Sequence, residues 1–178
     1  SVTITSCRVT VQGARSAVVL KVGDVAPDFT LTDQHGRPAS LSAQVGPVLL
    51  VFFPAAFTPV CHDELRALRD LSGRACVWGV SCDSMFVLRA LDDAEGLDFP
   101  LLSDFWPHGE VARAYGALDE DRGTARRVSF LVDRQGRITA RWQSAPDQPR
   151  DAGDYARALE LYTRAAAFGE AMAINNIG

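Results

Sequence analysis

The sequence predicts an α/β domain of three layers, with helices on both faces of one mixed sheet. Two strand-to-helix transitions and one hairpin carry that prediction. The run Pro47-Val48-Leu49-Leu50-Val51-Phe52-Phe53 is apolar throughout, and the amphipathic segment Glu64-Leu65-Arg66-Ala67-Leu68-Arg69-Asp70-Leu71 follows it. That is the pattern of a buried strand handing over to a helix. Ala75-Cys76-Val77-Trp78-Gly79-Val80-Ser81 is a second apolar run, after which Asp83 or Ser84 caps a helix reaching about Ala94. Val128-Ser129-Phe130-Leu131-Val132-Asp133, a turn at Arg134-Gln135-Gly136-Arg137 and a strand over 138–142 make a hairpin. Strands joined through helices run parallel and hairpin strands antiparallel, so the sheet is mixed.

Taken in order, residues 1–20 alternate polar and apolar side chains (Val2, Ile4, then Val9, Val11), which reads as a strand or hairpin or as an appended or upstream-translated leader. Residues 1–21 are set apart on that ground, with Cys7 outside the chemistry. From Val22 the texture changes. Gly23 to Leu31 leads into a short strand, Gln34-His35-Gly36-Arg37 supplies turn residues, and a second short strand follows at 39–41. Beyond the first two strand–helix pairs, Phe99-Pro100-Leu101-Leu102-Ser103 is another strand, and 109–115 is a brief helix closed by Gly116. A final helix starts near Asp151 or Asp154. Residues 22–162 form the domain and 163–178 a C-terminal helical extension; the pattern from Asp154 to Gly178 resembles the opening of a tetratricopeptide or Sel1-like repeat, and one such unit cannot bury its own face. The whole order is that of a thioredoxin-like three-layer α/β/α fold.

Composition limits the function. A chain of 178 residues with 47% hydrophobic content suits one domain with a proper core. The net charge of −4 and the lack of a basic run give no support to nucleic-acid or anionic-membrane binding. The longest apolar run is too short to span a bilayer, and no secretory signal is recognisable. The four cysteines, Cys7, Cys61, Cys76 and Cys82, form no C-x-x-C pair and no zinc-like pattern with histidine. A cytoplasmic protein with reduced thiols and no metal or organic cofactor is the expectation.

The chemistry is expected at the carboxyl ends of the parallel strands, and there the stretch Pro54-Ala55-Ala56-Phe57-Thr58-Pro59-Val60-Cys61 joins the first strand to its helix. Thr58 is a good N-cap and Pro59 suits the first helical position, which makes Cys61 the third residue of the helix. Unpaired N–H groups and the positive end of the helix dipole favour an anion at that spot. The reactive thiolate form is favoured accordingly. The Thr58 hydroxyl, three residues back, can donate to the sulfur or to whatever the sulfur attacks. The competing reading is a buried structural cysteine.

Several segments in this order resemble the peroxiredoxin family. Pro54-x-x-x-Thr58-x-x-Cys61 has the spacing of that family's active-site signature, and Arg127-Val128-Ser129-Phe130 looks like its second active-site element. Gly23-x-x-Ala26-Pro27-x-Phe29 and the pair Phe99-Pro100-Leu101-Leu102-Ser103-Asp104 with Ala112-x-x-Tyr115-Gly116 are similar to its other signatures. The run Ser103-Asp104-Phe105-Trp106-Pro107-His108-Gly109 most resembles the one-cysteine AhpE-type subgroup. The resemblance implies a thiol peroxidase that reduces hydrogen peroxide and organic hydroperoxides. Cys61 would attack the terminal oxygen and become a sulfenic acid. Thr58 and the Cys61 N–H would hold the peroxide, Arg127 would stabilise thiolate and leaving oxygen, Pro54 would shield the pocket, and Glu64 would orient Arg127. Arg126 competes with Arg127, since only one of two adjacent strand residues can face the site; the family register favours Arg127. Asp63 and Glu64 could instead simply complement the helix dipole.

The sulfenic acid must then be recycled. Cys76, Trp78, Val80 and Cys82 fall on one face of a strand, and Cys76 and Cys82 lie roughly 20 Å apart along it. That leaves Cys82, at the active-site edge, as the internal candidate for a resolving thiol. Otherwise the reductant is external, a low-molecular-weight thiol or a thioredoxin- or glutaredoxin-like protein. A thioredoxin-like disulfide reductase is a second reading, against which the missing C-x-x-C counts. A peroxide-sensing redox interaction module with a helical-repeat-like tail is a third. His62 is expected at the surface, His108 as a cap of the short helix, and Phe105 and Trp106 as core or interface residues. An aromatic edge at Phe57 and Phe105 suggests a homodimer.

Overall fold

The computed structural model describes residues 19–73, 75–145 and 147–175, with the backbone alone for 166 and 168–175. The expectations for residues 1–18, Cys7 among them, lie outside the described residues. The strands are β1 (Thr30–Asp33), β2 (Pro38–Ser40), β3 (Val48–Phe52), β4 (Cys76–Ser81), β5 (Leu101–Ser103), β6 (Leu118–Asp119), β7 (Thr124–Ala125), β8 (Val128–Val132) and β9 (Ile138–Gln143). The helices are α1 (Pro59–Ser72), α2 (Met85–Glu95), α3 (Glu110–Ala114) and α4 (Ala152–Asn175). One sheet runs in the order β2-β1-β5-β4-β3-β8-β9, and β6 and β7 pair separately. The central β5, β4 and β3 are parallel, and antiparallel pairs flank them on both sides. The fold is the thioredoxin-like α/β sandwich.

Strand β3 is buried at every position because it lies mid-sheet with both faces covered. Its alternation divides the core. Leu49, Val51 and Phe53 point to the face covered by Leu65, Leu68 and Leu71 of α1, Leu88 and Leu91 of α2, and Tyr155 and Leu159 of α4. Val48, Leu50 and Phe52 point the other way, onto Phe29, Val111 and Ala112 of α3, and Tyr115. Each of the fully buried leucines contributes on the order of 1.5–3 kcal/mol. Helix α1 presents its apolar residues at the spacing that fits the sheet, and that spacing also brings Cys61 and Glu64 to the buried side.

Local chemistry sets the ends. The Ser84 hydroxyl, not Asp83, caps α2 by accepting the Val87 N–H at 3.4 Å, and Gly96 closes it in the left-handed conformation at φ 58°. In the β1–β2 and β8–β9 turns the carboxylates of Asp33 and Asp133 each accept two backbone N–H groups at 2.8–2.9 Å, and the glycines at 36 and 136 take positive φ. His108 does not cap α3. Its Nε2 lies 2.7 Å from the Gly123 carbonyl oxygen, while the buried Asp104 carboxylate accepts the N–H groups of Val111 and Ala112 at 3.2 and 2.8 Å. Phe105 and Trp106 are exposed, so neither is a core residue. The two-residue strands β6 and β7 carry no readable alternation in the sequence. Helix α4 continues unbroken past residue 162.

Candidate active site

The site forms where β3 ends and α1 begins, and the antiparallel register brings the start of β8 to it. Val128 pairs with Phe52. Arg127 therefore sits just beyond that pair, beside the residues that lead into α1. Thr58 is the N-cap of α1 with φ −91° and ψ 140°, Pro59 is its first residue, and the His62 N–H closes the first helical bond on the Thr58 carbonyl at 3.0 Å. Val60 and Cys61 thus have no carbonyl four residues back within the helix to accept their N–H groups. The connecting loop is pinned from the neighbouring strand: the Ala56 N–H donates to Asp83 at 2.8 Å, and Asp83 is held in turn by the Ser81 hydroxyl at 3.0 Å. Phe57 stands exposed at the loop tip with φ 59°, a conformation costly for an aromatic residue.

Cys61 is 1% exposed. Arg127 donates from Nη2 to its sulfur at 3.1 Å and from Nη1 to Glu64 Oε2 at 2.7 Å. Arg126, one residue earlier, is exposed; the two lie between β7 and β8 in a tight turn, closed by the Val128 N–H on the Arg126 carbonyl at 3.0 Å, that turns only Arg127 inward. Glu64 is not a surface complement to the helix dipole. It is buried and meets a second arginine: Arg150 donates to Glu64 from its backbone N at 3.0 Å, from Nε at 2.6 Å and from Nη2 at 2.9 Å. The remaining Arg150 Nη1 donates to the Ser129 hydroxyl at 2.7 Å, which shares a 2.8 Å hydrogen bond with the Tyr155 hydroxyl from α4. Burial holds the Tyr155 phenol up at about 12 despite Arg150 and Ser129 nearby. The two buried arginines and Glu64 sum to one positive charge, which an anion at the Cys61 sulfur neutralises.

The Thr58 hydroxyl does not point its proton at the sulfur; it donates to the Ala55 carbonyl at 3.2 Å. Its oxygen is thereby an acceptor for a hydroxyl group brought into the site. Pro54 and Thr58 border a cavity of about 680 Å³ whose far wall is the β6–β7 hairpin and the end of β9. Cys82 is placed differently. It is buried in the core of the α3 face, whereas Cys61 belongs to the core of the α1 face. Burial first, and then Asp104 and Asp83, push the Cys82 thiol up to about 11. His62 is half-buried and pairs with Glu95, away from the sulfur.

Sequence reasoning did not find Arg150, Ser129, Tyr155 or the loop-pinning role of Asp83. Ser129 had a signal, since a lone hydroxyl inside the apolar strand Val128–Val132 must find a buried partner. Arg150 had none; it follows Pro149 in a connection without periodicity.

Comparison with known proteins points the same way. A family model described as AhpC/TSA matches residues 22–141. Alkyl hydroperoxide reductase E of Mycobacterium tuberculosis is 41% identical over 152 residues, a match covering 82% of this chain and 99% of that protein. Among solved structures, peroxidoxin BcpB of Mycobacterium tuberculosis superposes with a TM-score of 0.70 at 33% identity, over 79% of this chain and 95% of that one. The AhpC of Enterococcus faecalis does so with a TM-score of 0.75 at 28% identity, over 83% of this chain and 95% of that one.

Proposed function

The chain belongs to the AhpC/TSA family of peroxiredoxins and is a thiol-dependent peroxidase; from that premise we propose that Cys61 reduces hydrogen peroxide and organic hydroperoxides and is recycled by an external thiol. The observation that carries the assignment is Arg127, which bridges the Cys61 sulfur and Glu64 in a buried pocket. The Cys61 thiolate attacks the terminal peroxide oxygen, the O–O bond breaks, and the departing alkoxide or hydroxide takes up a proton, leaving a sulfenic acid on Cys61. The N–H of Cys61 and the Thr58 oxygen hold the peroxide in line, the hydroperoxide's own O–H donating to Thr58. Arg127 meets charge as it moves from sulfur to leaving oxygen, a preorganised contribution that costs no reorganisation during reaction. Glu64 and Arg150 are positioning residues that act through Arg127, and Pro54 closes the pocket over the sulfur.

An external reductant is supported by the placement of Cys82, on the other face of the sheet from Cys61 and with a thiol held in its protonated form. A low-molecular-weight thiol or a small redoxin fits the role. The proposal includes a reducing, cytoplasmic setting, in keeping with the free thiols of Cys61, Cys76 and Cys82. It also includes a homodimer joined through Phe57, Phe86, Phe105 and Trp106, large exposed side chains that follow the carboxyl ends of β3, β4 and β5 and so fall along one edge of the sheet. The sensing-module reading finds no support among the relatives. Replacing Cys61 by serine is expected to abolish peroxide consumption, and Arg127→Ala to slow it by about 10²-fold or more, the usual cost of one preorganised donor. Peroxidase activity surviving in Cys61→Ser would refute the assignment.

A further inference from the structure

The cavity bordered by Thr58, Val60 and Arg127, the residues around Cys61, is much larger than hydrogen peroxide requires. At about 30 Å³ per water-sized unit, a peroxide fills a small part of its roughly 680 Å³, a volume within the range of sites for drug-sized ligands. Pro54, Pro59 and Val60 give it an apolar lining, and Arg122 and Arg126 line it as well. Both arginines are exposed, and neither makes an ion pair or side-chain hydrogen bond with any described residue. Their neighbour Asp119 uses one carboxylate oxygen on the backbone N–H groups of Asp121 and Arg122, at 3.2 and 3.3 Å. Two guanidinium groups against one carboxylate leave the wall cationic. Arg127, on the inner side, is already committed to Cys61 and Glu64.

Building on the peroxidase reading above, we propose that this cavity seats a small anionic thiol as the reductant, its carboxylate on Arg122 and Arg126 and its sulfur toward Cys61. Guanidinium groups are suited to carboxylates because their N–H fork matches both oxygens. The thiol is assigned because the sulfenic acid must be reached from outside, Cys82 being on the opposite face. Of a hydroperoxide, only the two reacting oxygens are held by the groups immediately around the sulfur, and its organic part calls for no cation. The thiolate attacks the sulfenic sulfur. The S–O bond breaks, the hydroxide takes up a proton and leaves as water, and a mixed disulfide forms on Cys61. A second molecule of thiol attacks that disulfide, freeing Cys61 and releasing the symmetrical disulfide. The two electrons withdrawn from two thiols are those the peroxide received.

The test separates the half-reactions. Wild type and the Arg122→Gln/Arg126→Gln double variant are oxidised with one equivalent of hydrogen peroxide, and the product is scored by mass with a sulfenic-acid trap. A wild type that yields no trappable sulfenic acid at Cys61 refutes the peroxidase reading itself. The oxidised proteins are then mixed with ω-mercaptocarboxylates of two, five and ten methylenes, each matched by its ω-mercaptoalkanol, and rates are compared per thiolate. In wild type at low salt at least one carboxylate should outrun its alcohol by about tenfold, the combined effect of two exposed charge pairs. That ratio should fall below about twofold in the double variant and shrink as salt is added. Using the ratio makes the result independent of any change in overall rate, and circular dichroism checks that the fold is intact. No preference at any chain length, or one that survives the double substitution, overturns the inference. So does an arginine-dependent preference that appears for a carboxylated hydroperoxide over its methyl ester and not for the thiols.

Discussion

Arg150→Met replaces a buried cation by an apolar side chain of similar length, and its cost can be worked from the hydrogen bonds. Glu64 loses two charge-assisted bonds, at 2.6 and 2.9 Å, and Ser129 loses one at 2.7 Å. The backbone N–H of residue 150 and the Arg127 guanidinium still reach Glu64, at 3.0 and 2.7 Å. Breaking a buried ion pair by removing one partner costs about 3–5 kcal/mol, and the surviving bonds put this case near the lower end, about 3 kcal/mol. At about 2–4 °C per kcal/mol for a domain of this size, the melting temperature should drop by roughly 6–12 °C. The second effect is on the sulfur. With Arg150 present, a Cys61 thiolate, Arg127, Glu64 and Arg150 sum to zero; without it they carry one negative charge, which disfavours the thiolate. The rate of oxidation by hydrogen peroxide, followed by stopped-flow tryptophan fluorescence at a fixed neutral pH, should therefore fall. Arg150→Lys restores the charge without the fork, so it should recover the oxidation rate more fully than the stability. A methionine variant that melts within about 2 °C of wild type, with an unchanged rate of oxidation, would refute the charge-chain reasoning.

Two further outcomes follow from the structure. Because Cys82 is held at about 11 against an ordinary thiol near 9, the folded chain keeps a proton that the unfolded chain releases between those values. Its share of stability is complete below pH 9 and is lost as pH rises through 11, about 2–3 kcal/mol in all. Denaturant titrations of wild type and Cys82→Ala at pH 8 and 11 should show that extra loss in wild type alone, and equal losses would sink the placement. Trp106 is 82% exposed on the aromatic edge proposed to join two copies. Trp106→Glu should shift sedimentation toward monomer while leaving the melting of the monomer nearly unchanged, and an unaltered dimer in the variant would remove that edge as the interface.

What the sequence shows and what it hides divide along the range of the contacts. Thr58, Pro59 and Cys61 are legible because a cap, a first-turn proline and the residue after them are set by neighbours three positions away. Arg127 is legible once the hairpin is recognised, since the β3–β8 register carries it to the end of β3; the family register picks it over Arg126, and a tight turn ahead of β8, rather than strand alternation, is what leaves Arg126 exposed. Arg150 is 86 residues from Glu64 and sits in an aperiodic connection, so nothing local announces it. Cys82 marks a subtler limit. Reading along β4 places it at the active-site edge, but that coordinate says nothing of the face. The helix joining β3 to β4 covers one side of the sheet, taking Cys61 with it, while Trp78, Val80 and Cys82 point to the other. A disulfide needs its two Cα atoms within about 7 Å, and layers in such a fold stack about 10 Å apart. An internal disulfide with Cys82 would therefore require the first turn of α1 or the end of β4 to unravel. The same turn supplies the Thr58 cap and the Cys61 N–H that the proposed peroxide chemistry uses, so an internal resolving step would dismantle the site at every turnover. An external thiol entering past Arg122 and Arg126 leaves it standing.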